Sequence, residues 1–253
     1  MVEVNSFNYE FVQTNSEFLL FLKDMSKEIN EELQEVQEEI HKEFQVERMV
    51  LFSDAVFAIV ITLMAIEIKV PEFEGHETTK EIAKRLLHIL PLFIAYLVSF
   101  LFIGLTWFRH LRMFSFVKDY NKKLVASNLL LLFFVSLFPF CVGMVTQPMI
   151  HNILPMVMYF SIITLCLLAQ VNLGRQILYG DPAIRIQNNK VHEERKKHRD
   201  SLAGLYAFII TIALALLLYI LIPQPEYKSL GWASLSVMPL IRIWIKKLLE
   251  AKK

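Results

Sequence analysis

Two rhythms of apolar and polar residues divide this chain. Between residues 18 and 44, apolar side chains recur at Phe18, Leu22, Met25, Ile29, Leu33, Val36, Ile40 and Phe44, in steps of 4, 3, 4, 4, 3, 4 and 4. Leu22, Leu33 and Phe44 stand eleven apart, the period of a nearly straight or slightly right-handed helical bundle. The positions between them are largely Glu and Gln. The pattern predicts an amphipathic helix, either a surface helix or a self-associating bundle, preceded by a disordered stretch over residues 1–15. Beyond residue 48 the spacing gives way to near-continuous apolar runs. A helix needs about 20 mostly apolar residues to cross the hydrocarbon, and six segments qualify: roughly 49–70, 88–108, 124–145, 152–174, 201–222 and 229–245. The sixth is the weakest, since it carries Pro239 and Arg242, whose guanidinium would have to snorkel to the interface. Pro139, Pro155 and Pro239 are expected to kink helices rather than break them. The fold class predicted is all-α: a polytopic membrane protein with six transmembrane helices plus an N-terminal cytoplasmic amphipathic helix. The domains are an acidic extension over 1–47 and a membrane domain over 48–250.

Composition supports that division. Hydrophobic residues make up 55% of the 253 positions and Phe numbers 20, with a mean hydropathy of +0.44, well above a soluble domain. The net charge of +1 conceals a segregation: residues 1–47 hold twelve Asp or Glu against three Lys. Basic residues collect instead between apolar spans. The 109–123 connection carries five (Arg109, Arg112, Lys118, Lys122, Lys123) and the 175–199 connection seven (Arg175, Arg185, Lys190, Arg195, Lys196, Lys197, Arg199). The 146–151 turn carries none and 223–228 only Lys228. By the excess of Lys and Arg in cytoplasmic loops, an even number of spans with both termini cytoplasmic fits all four. The 71–85 loop dissents mildly, with Lys80, Lys84 and Arg85 diluted by five nearby glutamates. Cys141 and Cys166 both sit in apolar runs, so a disulfide framework is not expected. No basic stretch followed by an apolar core marks a cleavable signal peptide, so the first span is expected to act as its own insertion signal.

That first span opens on Arg48-Met49-Val50-Leu51-Phe52-Ser53-Asp54, and charges at the mouth of a membrane helix are costly enough to invite a functional reading. With Ile59 at zero and 100° per residue, Phe52, Ala55, Thr62, Leu63 and Ile66 fall at roughly +20°, −40°, −60°, +40° and −20°. They form one stripe with Arg48 at its end. Asp54 and Ser53 fall at about −140° and +120°, turned away from it. One face is therefore smooth and aliphatic, and the other carries polar groups that need protein partners.

Here the chain resembles the transmembrane protein 175 family of potassium channels, and especially its single-repeat prokaryotic members. The resemblance rests on Arg-x-x-x-Phe-Ser-Asp at Arg48, Phe52, Ser53 and Asp54, followed by Val56-Phe57-Ala58-Ile59-Val60-Ile61-Thr62-Leu63. It continues with Tyr96-x-x-Ser99-Phe100, Trp107-x-x-His110, Asn128 and Pro139-Phe140. The acidic N-terminal helix lies outside it. The resemblance implies a six-helix subunit, a tetramer around the first helix, and a pore narrowed by aliphatic side chains one turn apart. At matching positions these are Ile59, Leu63 and Ile66, with Thr62 contributing to selectivity. This chain has no Thr-Val-Gly-Tyr-Gly stretch for a carbonyl filter. Periodicity alone leaves the aliphatic residues readable as ordinary packing.

Ser53, Asp54, Trp107, His110 and Asn128 are expected to hydrogen-bond among the first three spans as a structural clamp. The alternative is a titratable gate at His110, since an unperturbed histidine titrates near about 6.5. No metal site is expected, because no second His or Cys lies at ligand spacing. His192 and His198 lack the His-Glu-x-x-His spacing, and their segment reads as a solvated loop, with contact to anionic lipid through Arg195, Lys196, Lys197 and Arg199 as the alternative. With seven glycines and no phosphate-cradling loop or nucleophile elbow, no enzyme activity, cofactor or nucleic-acid partner is expected. The function expected is a potassium-permeable cation channel, passive and homotetrameric, in the plasma membrane of a prokaryote. Secondary transport or proton-permeable carriage is the rival, although no paired helix interruption in corresponding halves supports it.

Overall fold

The computed structural model describes residues 2–68, 75, 78–145, 153–186, 190–221 and 238–251. Side-chain surroundings are described from Phe21 onward, except at His88, Pro91 and 248–251. The fold is all-α: α1 (Val2–Ile66), α2 (Thr79–Phe114), α3 (Lys122–Ser136), α4 (Phe138–Val145), α5 (Leu154–Tyr179), α6 (Lys190–Leu221) and α7 (Met238–Ala251), with a 3-10 turn at Pro182–Ile184. Contacts divide the chain into two units, Met1–Glu47 and Arg48–Lys253.

In the first unit the helix begins at Val2, not after a disordered stretch. Residues 2–15 contain neither Gly nor Pro, so nothing interrupts the backbone ladder. The stripe from Leu22 to Phe44 is exposed along its length. Lys27–Glu31 at 3.7 Å and Lys42–Glu38 at 3.8 Å are one-turn ion pairs, each adding about 0.3–0.5 kcal/mol of helix stability.

In the second unit, local chemistry sets the helix ends. The Glu81 carboxylate accepts the Thr78 backbone N–H and its hydroxyl, both at 2.8 Å. These bonds hold that carboxyl below its ordinary pKa and close the start of α2. Asn121 caps α3 by accepting the Leu124 N–H at 2.8 Å. Pro139 brings a local break rather than a smooth kink: α3 ends at Ser136, Leu137 keeps helical dihedrals, and α4 starts at Phe138. A proline lacks the N–H that would bond four residues back and crowds that carbonyl. Pro155 stands in the first turn of α5, where a missing N–H costs nothing, so it starts a helix rather than kinks one; the residues that precede Met238 and Pro239 lie outside the described ones.

Among the described residues, five helical stretches are long and apolar enough to cross a bilayer: Phe21–Ile66, Leu92–Phe114, Lys122–Met144, Leu154–Tyr179 and Lys190–Leu221. The expected sixth, 229–245, falls on residues outside the described ones up to 237; its described part belongs to α7, of which Met238–Ala251 are described. The 146–151 and 223–228 connections also lie outside the described residues. Helix α5 packs on α2, α3, α4 and α6, and α6 packs on α7 through Ala203, Ala207 and Ile245. The two basic connections are joined: the Lys118 N–H donates to the Ile184 carbonyl and the Ile186 N–H to Phe116, both at 2.9 Å.

The segment at 190–199 is not a solvated loop. It is the first turns of α6, with Glu194 and His198 buried. Gly174 on α5 makes room for His198, because a Cβ there would stand 2.8 Å from its Nδ1. Gly174→Ala is expected to destabilise the α5–α6 contact by about 1–3 kcal/mol, read as a lower midpoint of thermal unfolding in detergent. His198→Ala in the same chain should restore most of that loss. A midpoint unchanged by Gly174→Ala would mean the imidazole is free to move aside.

Candidate functional site

Helix geometry gives the membrane part of α1 two unlike sides. Ser53, Phe57, Val60 and Met64 are buried, with Met64 fully so, and they follow the three-to-four-residue spacing of one helix face. Opposite them, Phe52, Ala55, Thr62 and the aliphatic side chains of Ile59, Leu63 and Ile66 are exposed. Ile59 keeps 57% of its surface and Ile66 73%. A monomer that leaves this much aliphatic surface uncovered presents it to lipid or to another chain. The Thr62 hydroxyl donates to carbonyls of its own helix, Ile59 at 2.8 Å and Ala58 at 3.2 Å. Its outward side therefore offers oxygen lone pairs. Arg48, at the start of this unit, is exposed.

The buried side is fixed by a chain of hydrogen bonds across three helices. His110 Nε2 and Asn128 Oδ1 are 2.8 Å apart. Because an amide oxygen can only accept, Nε2 carries the hydrogen, a tautomer assigned from this network. Asn128 Nδ2 donates to Ser53 Oγ at 2.9 Å, and Ser53 Oγ donates to the Met49 carbonyl at 2.8 Å. Every link runs in one direction, from α2 through α3 into α1. Ser53, His110 and Asn128 are each at most 1% exposed. His110 is held between aromatic rings, with Phe114 at 4.4 Å and Phe57 at 5.6 Å between centroids. One turn away, Trp107 Nε1 donates to Asp54 Oδ1 at 2.8 Å in a more open setting. The three-residue spacing of Trp107 and His110 places both on the face of α2 that meets α1.

Further polar contacts inside the bundle were not assigned from the sequence. Ser99 and Tyr159 hydroxyls meet at 2.9 Å, Gln170 Nε2 donates to the Thr106 carbonyl at 3.0 Å, and Asn172 Nδ2 donates to Ser127 at 3.1 Å. Their signal was available: polar side chains within apolar spans face protein rather than lipid.

These helices and their interior polar contacts define a multi-pass helical membrane protein. Its particular resemblance is to the family described as the endosomal/lysosomal potassium channel TMEM175, whose profile matches residues 48–139. A potassium channel of Chryseobacterium sp. is 42% identical over 92 residues, 36% of this chain and 44% of that protein. The human endosomal/lysosomal proton channel TMEM175 is 35% identical over 98 residues, 37% of this chain and 19% of its own. The chain spans about half the length of the bacterial relatives it matches, or less. In structure, it is similar to a lysosomal potassium-selective channel TMEM175 homolog from Chamaesiphon minutus, with a TM-score of 0.60 and 26% identity. That match covers 79% of this chain and 96% of the other. The expected resemblance holds, and all the motif residues from Arg48 to Pro139 fall within the matched range.

Proposed function

We propose that this chain is a potassium-permeable cation channel that conducts passively, without catalysis or cofactor, through a pore lined by the membrane part of α1. The observation that carries this reading is the uncovered aliphatic face at Ile59, Leu63 and Ile66, set opposite a face fixed by buried hydrogen bonds. Four subunits with these faces turned inward would enclose a narrow apolar conduit. Apolar constrictions empty of water and close by dewetting, so one ring serves as gate and filter. Thr62, with its lone pairs directed outward, supplies the polar contact a partly dehydrated cation needs. Arg48 and Phe52 stand at the mouth, while Ser53, Asp54, Trp107, His110 and Asn128 hold the helix in orientation. The subunit has six membrane helices, both termini in the cytoplasm on the side of the basic connections, and lies in a prokaryotic plasma membrane.

The names of the vertebrate relatives favour a second reading, proton permeation through the same pore. Potassium efflux from liposomes, recorded with a pH-sensitive dye inside, separates the two. Potassium current that exceeds sodium current supports the first reading, and acidification that appears only when an added potassium ionophore carries the potassium out supports the second. Geometry has its own check. Both native cysteines are buried and unpaired, so background cross-linking is low. Ile59→Cys is expected to form an oxidised dimer between subunits, and Met64→Cys is not. Equal cross-linking of the two, or none from Ile59→Cys, would place the α1 face away from a symmetry axis.

A further inference from the structure

A cavity of about 310 Å³ lies among α2, α5, α6 and α7, at the small end of the range for ligand sites. Its charges do not balance internally. Glu194 Oε1 receives both Arg112 Nη2 and, at 3.0 Å, Lys197 Nζ. Asp200 is taken by Lys246 at 3.0 Å. Arg109 and Arg242 also line the cavity and have no hydrogen bond or ion pair among the described residues. Two buried acceptors are equally unanswered: Glu194 Oε2 and Gln170 Oε1 have no hydrogen-bond partner among the described residues, in residues only 2% and 9% exposed. Buried polar atoms in that condition are costly, and two guanidiniums in one cavity repel.

A simple anion would answer the arginines and leave the acceptors bare. A cation would answer the acceptors and face the arginines. One group satisfies both: a phosphate whose carrier bears hydroxyl or ammonium hydrogens. Phosphate oxygens suit the planar guanidinium fork, and basic pockets between membrane helices are where phospholipid head groups bind. We propose that this cavity is a binding site for a hydrogen-bond-donating phosphate group. Arg109 and Arg242 hold the phosphate, and Glu194 and Gln170 accept from its carrier. The site uses none of the α1 face, so its failure leaves the conduction proposal untouched.

The test uses the full chain purified in detergent, with bound lipid counted by native mass spectrometry. Phosphatidylglycerol carries a phosphate and two hydroxyls; phosphatidylcholine carries a phosphate and no donor. The wild type is expected to retain phosphatidylglycerol about tenfold more tightly than phosphatidylcholine. Arg109→Gln with Arg242→Gln should abolish that preference, and Gln170→Leu should narrow it. If the double variant does not fold, Arg242→Gln alone carries the comparison. Displacement of bound lipid by millimolar inorganic phosphate would assign the site to soluble phosphates, and resistance would assign it to lipid head groups; both keep the site. Equal retention of the two lipids by wild type, or a preference that survives loss of both arginines, overturns it.

Discussion

Ile59→Asn is expected to raise potassium efflux from liposomes about tenfold and to reduce the preference for potassium over sodium. In the proposed pore, an amide at the Ile59 ring would hold water where isoleucine expels it, and a barrier lowered by about 1.4 kcal/mol speeds passage about tenfold. Selectivity should fall together with the gate, because a hydrated ring no longer demands that the ion shed water. Ile59 is 57% exposed within the subunit, so the substitution adds no buried polar group and folding should survive it. Ile59→Val, which keeps the ring apolar, should leave both quantities near wild type. If Ile59→Asn conducts and selects as wild type does, the constriction is not at this position.

The second large effect is on stability. Asn128→Ala removes the middle of the donor chain, leaving His110 Nε2 and Ser53 Oγ without their partner. His110 Nδ1 is already buried without a partner among the described residues, so the ring would lose the one hydrogen bond it makes with them. Interhelical bonds in membranes average about 0.6 kcal/mol and reach about 1.7. Stranding the buried partners adds to that, and the expected loss is about 1–3 kcal/mol. In a chain of this size such a loss lowers the thermal midpoint by roughly 2–12 °C. Ser53→Ala, which breaks only the α1 end of the chain, should cost less. A midpoint for Asn128→Ala equal to that of wild type would show that the His110–Asn128–Ser53 chain does not hold the three helices together.

What the sequence could reveal depended on how local each determinant is. The membrane helices were legible because crossing hydrocarbon demands an unbroken apolar run, as in Leu129–Phe134 or Leu214–Leu218. The two sides of α1 were legible because 100° per residue is fixed by the backbone, and Ser53 against Ile59 needs no knowledge of the neighbours. Glu194 and His198 were misread because their burial depends on Arg112 and Gly174, both on other helices. A string of charges looks solvated until a distant partner is placed beside it. Pro155 was misjudged for another reason: the same ring kinks a helix from its middle and starts one from its first turn, so its effect turned on where α5 begins. The extent of α1 toward Val2 was not legible because residues 2–15 lie ahead of the periodic stripe that begins at Phe18, although no Gly or Pro there breaks a helix.

The one-way donor chain also limits how the proposed pore could widen. Ser53 is gripped from α3 and itself holds Met49, so α1 cannot swivel about its axis without tearing the Asn128 link inside a dry interior. Ile59 and Leu63, on the opposite side, have no hydrogen-bonding group in their side chains to act as such a tether. Enlarging the passage would therefore fall to rotamer swings of Ile59 and Leu63, or to tilting of α1 together with α2 and α3 as one piece, rather than to a helix turning like a key.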